Sequence, residues 1–440
     1  MSLPETLIDA ARAVREGAIT ATALTQAALE RAQMHQALNA LAWVDPQAAL
    51  AEAAQRDAEA RSGRWRGPLH GVPITVKDLF NVRGMPTRGG TRAPLPRLTP
   101  EEAPAVARLR AAGAVILAKT NLQEIALGLT GENPWTGDVK NPHHPAHQAG
   151  GSSSGAAAAV AVGIGYGALG SDTAGSIRLP AAFCGVVGFK PSFGAVPLEG
   201  ALPLVPSCDH AGPLARTVAD AALLFSVLAE QPTYAAPLDA PPVLAVPFDY
   251  LEGWLTRELR AAFAAWLIRL QRKGAKIVSA HPPLALAEQH FPALRAESAL
   301  VHHEGLTRAP SFFSPFVRAA LQQGYAVPAV DYLRAREAQH ILRHAIADTL
   351  RRAGAQALLM PTAPGAAPLR STSVIALERG ATPLRQAILH FTLPAAFAGV
   401  PAASLPFAWA DGLPLGAQII APFGADETTL RIAAWLERVR

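Results

Sequence analysis

The chain has 440 residues, half of them hydrophobic and only 17% charged, which excludes a disordered chain and allows a large core. Its formal net charge of +5 is small for this length and forms no basic run, so nucleic acid is not an expected partner. Two cysteines, Cys184 and Cys208, exclude a disulfide framework, and together with an acid-bearing N-terminus lacking an apolar stretch they fit a cytoplasmic setting with no membrane span.

Apolar residues recur at helical spacing through residues 3–60, so 1–64 reads as an N-terminal helical segment. At Leu69 the texture changes. HGVPITVKDLF is a β-branched run bounded by Gly71 and Pro73 and predicts a buried strand. A glycine-rich loop, a helix over about 101–112 and a strand in AVILAKT follow, the alternation of a layered α/β fold. Residues 130–150 read as loop. The stretch 150–190 carries two Gly/Ser turns, GGSSSG and SDTAGS, joined by Ala, Val and Gly. PLARTVADAALLFSVLAE then predicts a helix, VLAVP and AKIVS strands about a helix over 256–272, and 283–350 mostly helix able to cap a site. ALLMPTAP, AASLPFAW and GAQIIAP read as strands, and ETTLRIAAWLERV closes as a helix. The expected organisation is one α/β domain: a core over 65–230, a variable helical insertion over 240–355, and a return to the core sheet over 356–440.

Of 39 basic residues, lysine takes only positions 77, 119, 140, 190, 273 and 276. Lys77 and Lys190 sit in apolar surroundings, where an amine can lose its proton and a guanidinium cannot. For Lys77 the bland alternative is a buried pair with Asp78. GSSSG matches the Ser-centred elbow of hydrolases with Ser153 as nucleophile, but the prolines before it deny the elbow its strand. His143, His144 and His147 match no zinc spacing and read as structural. In SDTAGSIR the amides of Thr173, Ala174, Gly175 and Ser176 can converge as an oxyanion hole. Asp172 and Arg178 read as a pair pinning that turn, with an acidic substrate as the alternative partner for Arg178.

At these residues the chain resembles the amidase signature family. GGSSSGAAAAVAVG is similar to that family's first serine element, SDTAGSIRLPAAFCGVVGFKPSFG to its second, and HGVPITVKD to its lysine strand. Further likeness runs through VARLRAAGAVILAKTN, GENPWTGDVKNP, DHAGPLARTVADAALL and GVPAASLPFAWADGLPLGAQII, so the resemblance is strong over about 65–230 and moderate over 355–435. The resemblance implies an α/β fold with a large mixed β-sheet flanked by helices on both faces. It implies hydrolysis of a carboxylic amide to acid and ammonia or amine, with no cofactor or metal. The family's Ser–cis-Ser–Lys triad falls on Ser176 as nucleophile, Ser152 as bridging serine and Lys77 as base. Thr173, Ala174 and Gly175 fall on the oxyanion turn; substrate binding is expected from the loop around Gly128 and from 240–355, where the resemblance is least informative. Two departures stand out: Ser154 and Ala156 replace the usual Gly and Ser, and Ala174 replaces a Gly, where a positive φ would be costly. The small Ala174 hints at a small, ureide- or allophanate-type substrate. Another reading is the amidase component of a tRNA-dependent amidotransferase, although that component usually carries Gln at the position of His210. The expected partner is a small-molecule amide, and any assembly of like chains is expected to be a homodimer.

Overall fold

The computed structural model describes residues 3–96, 98, 101–233 and 236–439. Thirteen strands occur among them: β1 (Leu41–Val44), β2 (Pro73–Lys77), β3 (Val115–Thr120), β4 (Gly167–Asp172), β5 (Val187–Lys190), β6 (His210–Ala215), β7 (Val243–Val246), β8 (Lys276–Ser279), β9 (Ala357–Pro361), β10 (Val374–Leu377), β11 (Gly380–Pro383), β12 (Ala402–Ala410) and β13 (Leu413–Ile420). Eleven of them form one mixed sheet in the order β1-β3-β2-β4-β6-β5-β12-β13-β9-β7-β8, and β10 and β11 make a separate ribbon. β3, β2 and β4 run parallel to one another, as do β9, β7 and β8, while the strands between them are antiparallel. The central strands are buried throughout, so they read as continuous apolar runs without alternation.

Three departures from the sequence expectation have physical reasons. The N-terminal segment is not all helix: LAWV pairs antiparallel with β3 as the sheet's edge strand, β1. Four residues are too few to show a period of two against an alanine-rich background. The helix expected from PLARTVADAALLFSVLAE begins only at Val218, where the Thr217 side chain accepts from the Asp220 amide; HAGPLA before it is the buried strand β6. The strands expected at VLAVP and AKIVS form as β7 and β8, but they extend the core sheet through β9, so this part of 240–355 is not an insertion apart from the core. Within 240–355, residues from Phe291 to Gln323 line the cavity at the site.

Helix Ser154–Ala161 is built almost entirely of Ala and Gly and is buried nearly throughout, packing on β2, β4 and the helix Arg178–Cys184. A side chain at Gly155 would come within 2.2 Å of the Ala40 carbonyl oxygen, so the backbone approach there requires glycine. Among the described residues no helix is long and apolar enough to cross a membrane.

Candidate active site

The parallel pair β2 and β4 sets the site, because both strands end at the same edge of the sheet. Lys77 is the last residue of β2 and Asp172 the last of β4. The chain leaving β4 forms the turn Thr173–Ser176 and enters the helix Arg178–Cys184. The turn that precedes helix Ser154–Ala161 carries Ser152, reached through a cis Gly151–Ser152 peptide. The two turns are tied directly, since the Ser153 amide donates to the Ser176 carbonyl at 3.1 Å.

Lys77 is fully buried. Its Nζ donates to Ser152 Oγ at 2.8 Å and to Ser171 Oγ at 2.9 Å. Burial pushes the amine down to about 7, and the more distant charges of Asp172 and Asp209 offset this only in part. The expected alternative, a Lys77–Asp78 pair, is not formed: Asp78 pairs with Lys119 at 2.8 Å. Adjacent residues on a strand point to opposite faces, which separates Lys77 from Asp78. Lys190 is buried too, and burial followed by the nearby Arg178 charge pushes it to about 7. Its Nζ donates to the Pro191 carbonyl at 2.8 Å, with neither serine as acceptor.

Beneath the Thr173–Ser176 turn, Asp172 and Arg178 form a fully buried ion pair. Nε and Nη2 of Arg178 each donate to the carboxylate at 3.0 Å, and Nη1 donates to Gln418 Oε1 at 2.8 Å. Burial alone would raise the Asp172 carboxyl; the Arg178 charge and hydrogen bonds outweigh it and hold the group well below the usual range. These bonds leave Arg178 engaged, so the alternative role of binding an acidic substrate is not open to it. Asp172 also accepts from the amides of Gly175 (2.7 Å) and Ile177 (3.2 Å). The sequence expectation gives the Gly175 amide to an oxyanion, but the carboxylate takes it instead. Among the described residues the amides of Thr173, Ala174 and Ser176 have no acceptor.

The strain expected at Ala174 falls one residue later. Ala174 has no positive φ, whereas Gly175 has φ +121°, and a side chain there would come within 2.5 Å of Thr392 Cβ. Thr392 Oγ1 donates to the Ala174 carbonyl at 2.6 Å, fixing the turn from the opposite side. Ser153, the elbow candidate, donates its hydroxyl to the Ser171 carbonyl at 3.0 Å. His143 and His147 meet the backbone carbonyls of Cys184 and Ala367. His210 is buried, its Nδ1 facing the carbonyls of Cys208 and Asp172.

A cavity of about 270 Å³ opens against Thr173, Ala174 and Ser176. Its other walls are the loop Ala126–Leu129, which includes Gly128, Leu204 with Val205, residues of the helical segment from Phe291 to Gln323, and Arg385 with Leu389. A second cavity of about 720 Å³ shares Gly128, Phe316 and Arg385 with it. Ile125 (φ 44°) and Ala126 (φ 61°) hold the loop in a left-handed conformation unusual for residues with side chains. Sequence reasoning missed Ser171, Thr392, Gln418 and Arg385. Ser171 opens the second serine element and was within reach of motif reading; the others come from about 210 to 250 residues downstream and left no local signal.

A family model described as Amidase matches residues 23–430. The glutamyl-tRNA(Gln) amidotransferase chain of the same family from Deinococcus radiodurans is 36% identical, over 100% of this chain and 98% of that protein. A crystal structure of an amidase superposes with a TM-score of 0.96 at 49% identity, covering 98% of this chain and 99% of the other. The corresponding glutamyl-tRNA(Gln) amidotransferase chain from Thermotoga maritima superposes with a TM-score of 0.75 at 28% identity, covering 94% and 91%. With an eleven-stranded mixed sheet and these likenesses along nearly its whole length, the chain belongs to the amidase signature family and is an amidohydrolase acting on C–N amide bonds.

Proposed function

We propose that the chain hydrolyses a small carboxylic amide through Ser176, Ser152 and Lys77 by way of an acyl-enzyme. The observation that carries this reading is the buried Lys77 amine, driven to about 7 and 2.8 Å from Ser152 Oγ, beside a cavity lined by Ser176. Neutral Lys77 takes the proton of Ser152 as Ser152 takes that of Ser176, and Ser176 Oγ adds to the amide carbonyl. The amides of Thr173, Ala174 and Ser176 face the developing oxyanion; losing one such donor costs roughly 2.7–4 kcal/mol of barrier. The proton returns through Ser152 to the leaving nitrogen, the C–N bond breaks, and water cleaves the Ser176 ester by the reverse relay. Ser176→Ala is expected to abolish both turnover of simple amides and labelling by a fluorophosphonate. Labelling at the wild-type rate in that variant would remove Ser176 from the role.

A second reading is favoured by the likeness to amidotransferase chains: ammonia release from glutamine for a partner chain. It ranks below the first because the solved amidase is far more similar in sequence and superposition than the solved amidotransferase chain. Glutaminase activity appearing only with a co-purifying partner would reverse that order.

A further inference from the structure

We infer that the substrate carries a carboxylate remote from the scissile amide, gripped by the guanidinium of Arg385 with that of Arg295 beside it. This rests on the amidase reading and specifies its substrate class. Among the described residues two arginines line the cavity at Ser176, and no aspartate or glutamate does. Arg295 Nη1 donates to the neutral Gln323 Oε1 at 2.6 Å. Among the described residues Arg385 has no hydrogen-bond acceptor, carboxylate or aromatic face, although it lines both cavities. Three other arginines withdrawn from solvent are matched by carboxylates, Arg56 by Glu52 and Glu59, Arg110 by Glu52 and Glu102, Arg178 by Asp172, and Arg216 is held by the carbonyls of Val160 and Gly165 and the face of Tyr166.

The carboxylates of the adjoining cavity are already engaged. Glu124 accepts from Thr91, Trp135 and the Ser314 amide, Glu132 from the Ser371 amide, and Asp138 from the Asn133 amide and Arg370. Burial, and then repulsion from Arg295, pushes Arg385 down to about 10, so it is still a cation at neutral pH. Two like charges share a partly desolvated space with no counter-charge, an arrangement that an entering anion relieves. A guanidinium fork matches a carboxylate with two parallel hydrogen bonds. The same cavity is lined by Leu127, Phe291, Phe316 and Leu389, apolar walls that suit a short aliphatic spacer. An ammonium on the same substrate finds no carboxylate in this cavity, so a zwitterion such as glutamine is disfavoured.

The test compares amides of matched skeleton: glutaramate against pentanamide and glutamine, and succinamate against butanamide. The wild-type enzyme is expected to favour the carboxylated member of each pair by at least about tenfold in kcat/KM. That preference should collapse in Arg385→Gln and persist in part in Arg385→Lys, which keeps the charge and loses the fork. Titration of Ser176→Ala with glutaramate, followed by calorimetry, reads the same subsite without chemistry; binding should disappear when Arg385→Gln is added. Equal turnover of charged and neutral amides, or a preference unchanged in Arg385→Gln, overturns the inference and leaves the amidase reading standing. If no amide is turned over, calorimetry still decides: glutaramate bound through Arg385 upholds the subsite while the catalytic reading falls, and its absence ends the inference.

Discussion

Replacing Lys77 by methionine should abolish activity and make the protein more stable at neutral pH. The amine's ordinary value of 10.5 falls to about 7 on burial. Between those values the unfolded chain binds a proton that the folded chain refuses, so wild-type stability rises with pH across that window. The full difference, about three and a half pH units at about 1.4 kcal/mol each, is reached well below pH 7; at pH 7 the folded amine is half protonated and the cost against folding is about 4 kcal/mol. Methionine has a similar unbranched shape and no such cost, but it deprives Ser152 and Ser171 of their donor, at roughly 1 kcal/mol each. The balance predicts Lys77→Met about 2 kcal/mol more stable than wild type at pH 7. At about pH 9.5 the remaining cost is about 1 kcal/mol, less than the two lost hydrogen bonds, and the advantage should vanish. Urea unfolding of both proteins at the two pH values measures this directly. Lys190 is present in both, so its own titration cancels from the difference. A variant less stable than wild type at pH 7, or an advantage that does not shrink as pH rises, refutes the claim that Lys77 folds as a neutral amine.

The same amine predicts the pH–rate profile. Since the neutral form is the base, kcat/KM should climb about tenfold per pH unit below about 7 and flatten above it, and Lys77→Arg should be as inactive as Lys77→Ala. Asp172→Asn leaves the Arg178 guanidinium buried without its counter-charge and should destabilise the fold by about 3–5 kcal/mol, read as a lower urea midpoint. Gly175→Ala combines a φ of +121° with a 2.5 Å approach to Thr392 and should cost roughly 2–5 kcal/mol together with most turnover, measured by denaturation and a steady-state assay.

How far the site could be read from sequence depended on how local each interaction is. Lys77, Ser152 and Ser176 sit in runs whose glycines, prolines and β-branched residues mark turn and strand without any structure. The Lys77–Ser152 hydrogen bond could not be read from either run, because it depends on β2 and β4 lying side by side with helix Ser154–Ala161 against them. The commitment of the Gly175 amide was equally hidden: Asp172 looked like a partner for Arg178 alone, and the closing of its loop onto Gly175 is a matter of backbone angles. Short strands escaped for another reason. LAWV and HAGPLA carry too few residues for periodicity, and pairing with β3 and β4 decides their conformation. Arg385 had no local signal at all, since an arginine becomes notable only when its surroundings prove to lack an acid.

The turn bearing Ser176 is held from below by Gln418 through Arg178, and from the side by Thr392 through the Ala174 carbonyl. β5, which follows it, pairs with β12 at Ala402–Ser404. All of these supports are synthesised long after the serines they hold. A chain still on the ribosome, with both serines and Lys77 already clear of the exit tunnel, can close Asp172 onto Gly175 and Arg178 but lacks the Thr392 and Gln418 hydrogen bonds that hold the turn from outside. Competence therefore arrives late in translation and nearly all at once, and a chain cut short before Thr392 is a hydrolase sequence without a hydrolase site.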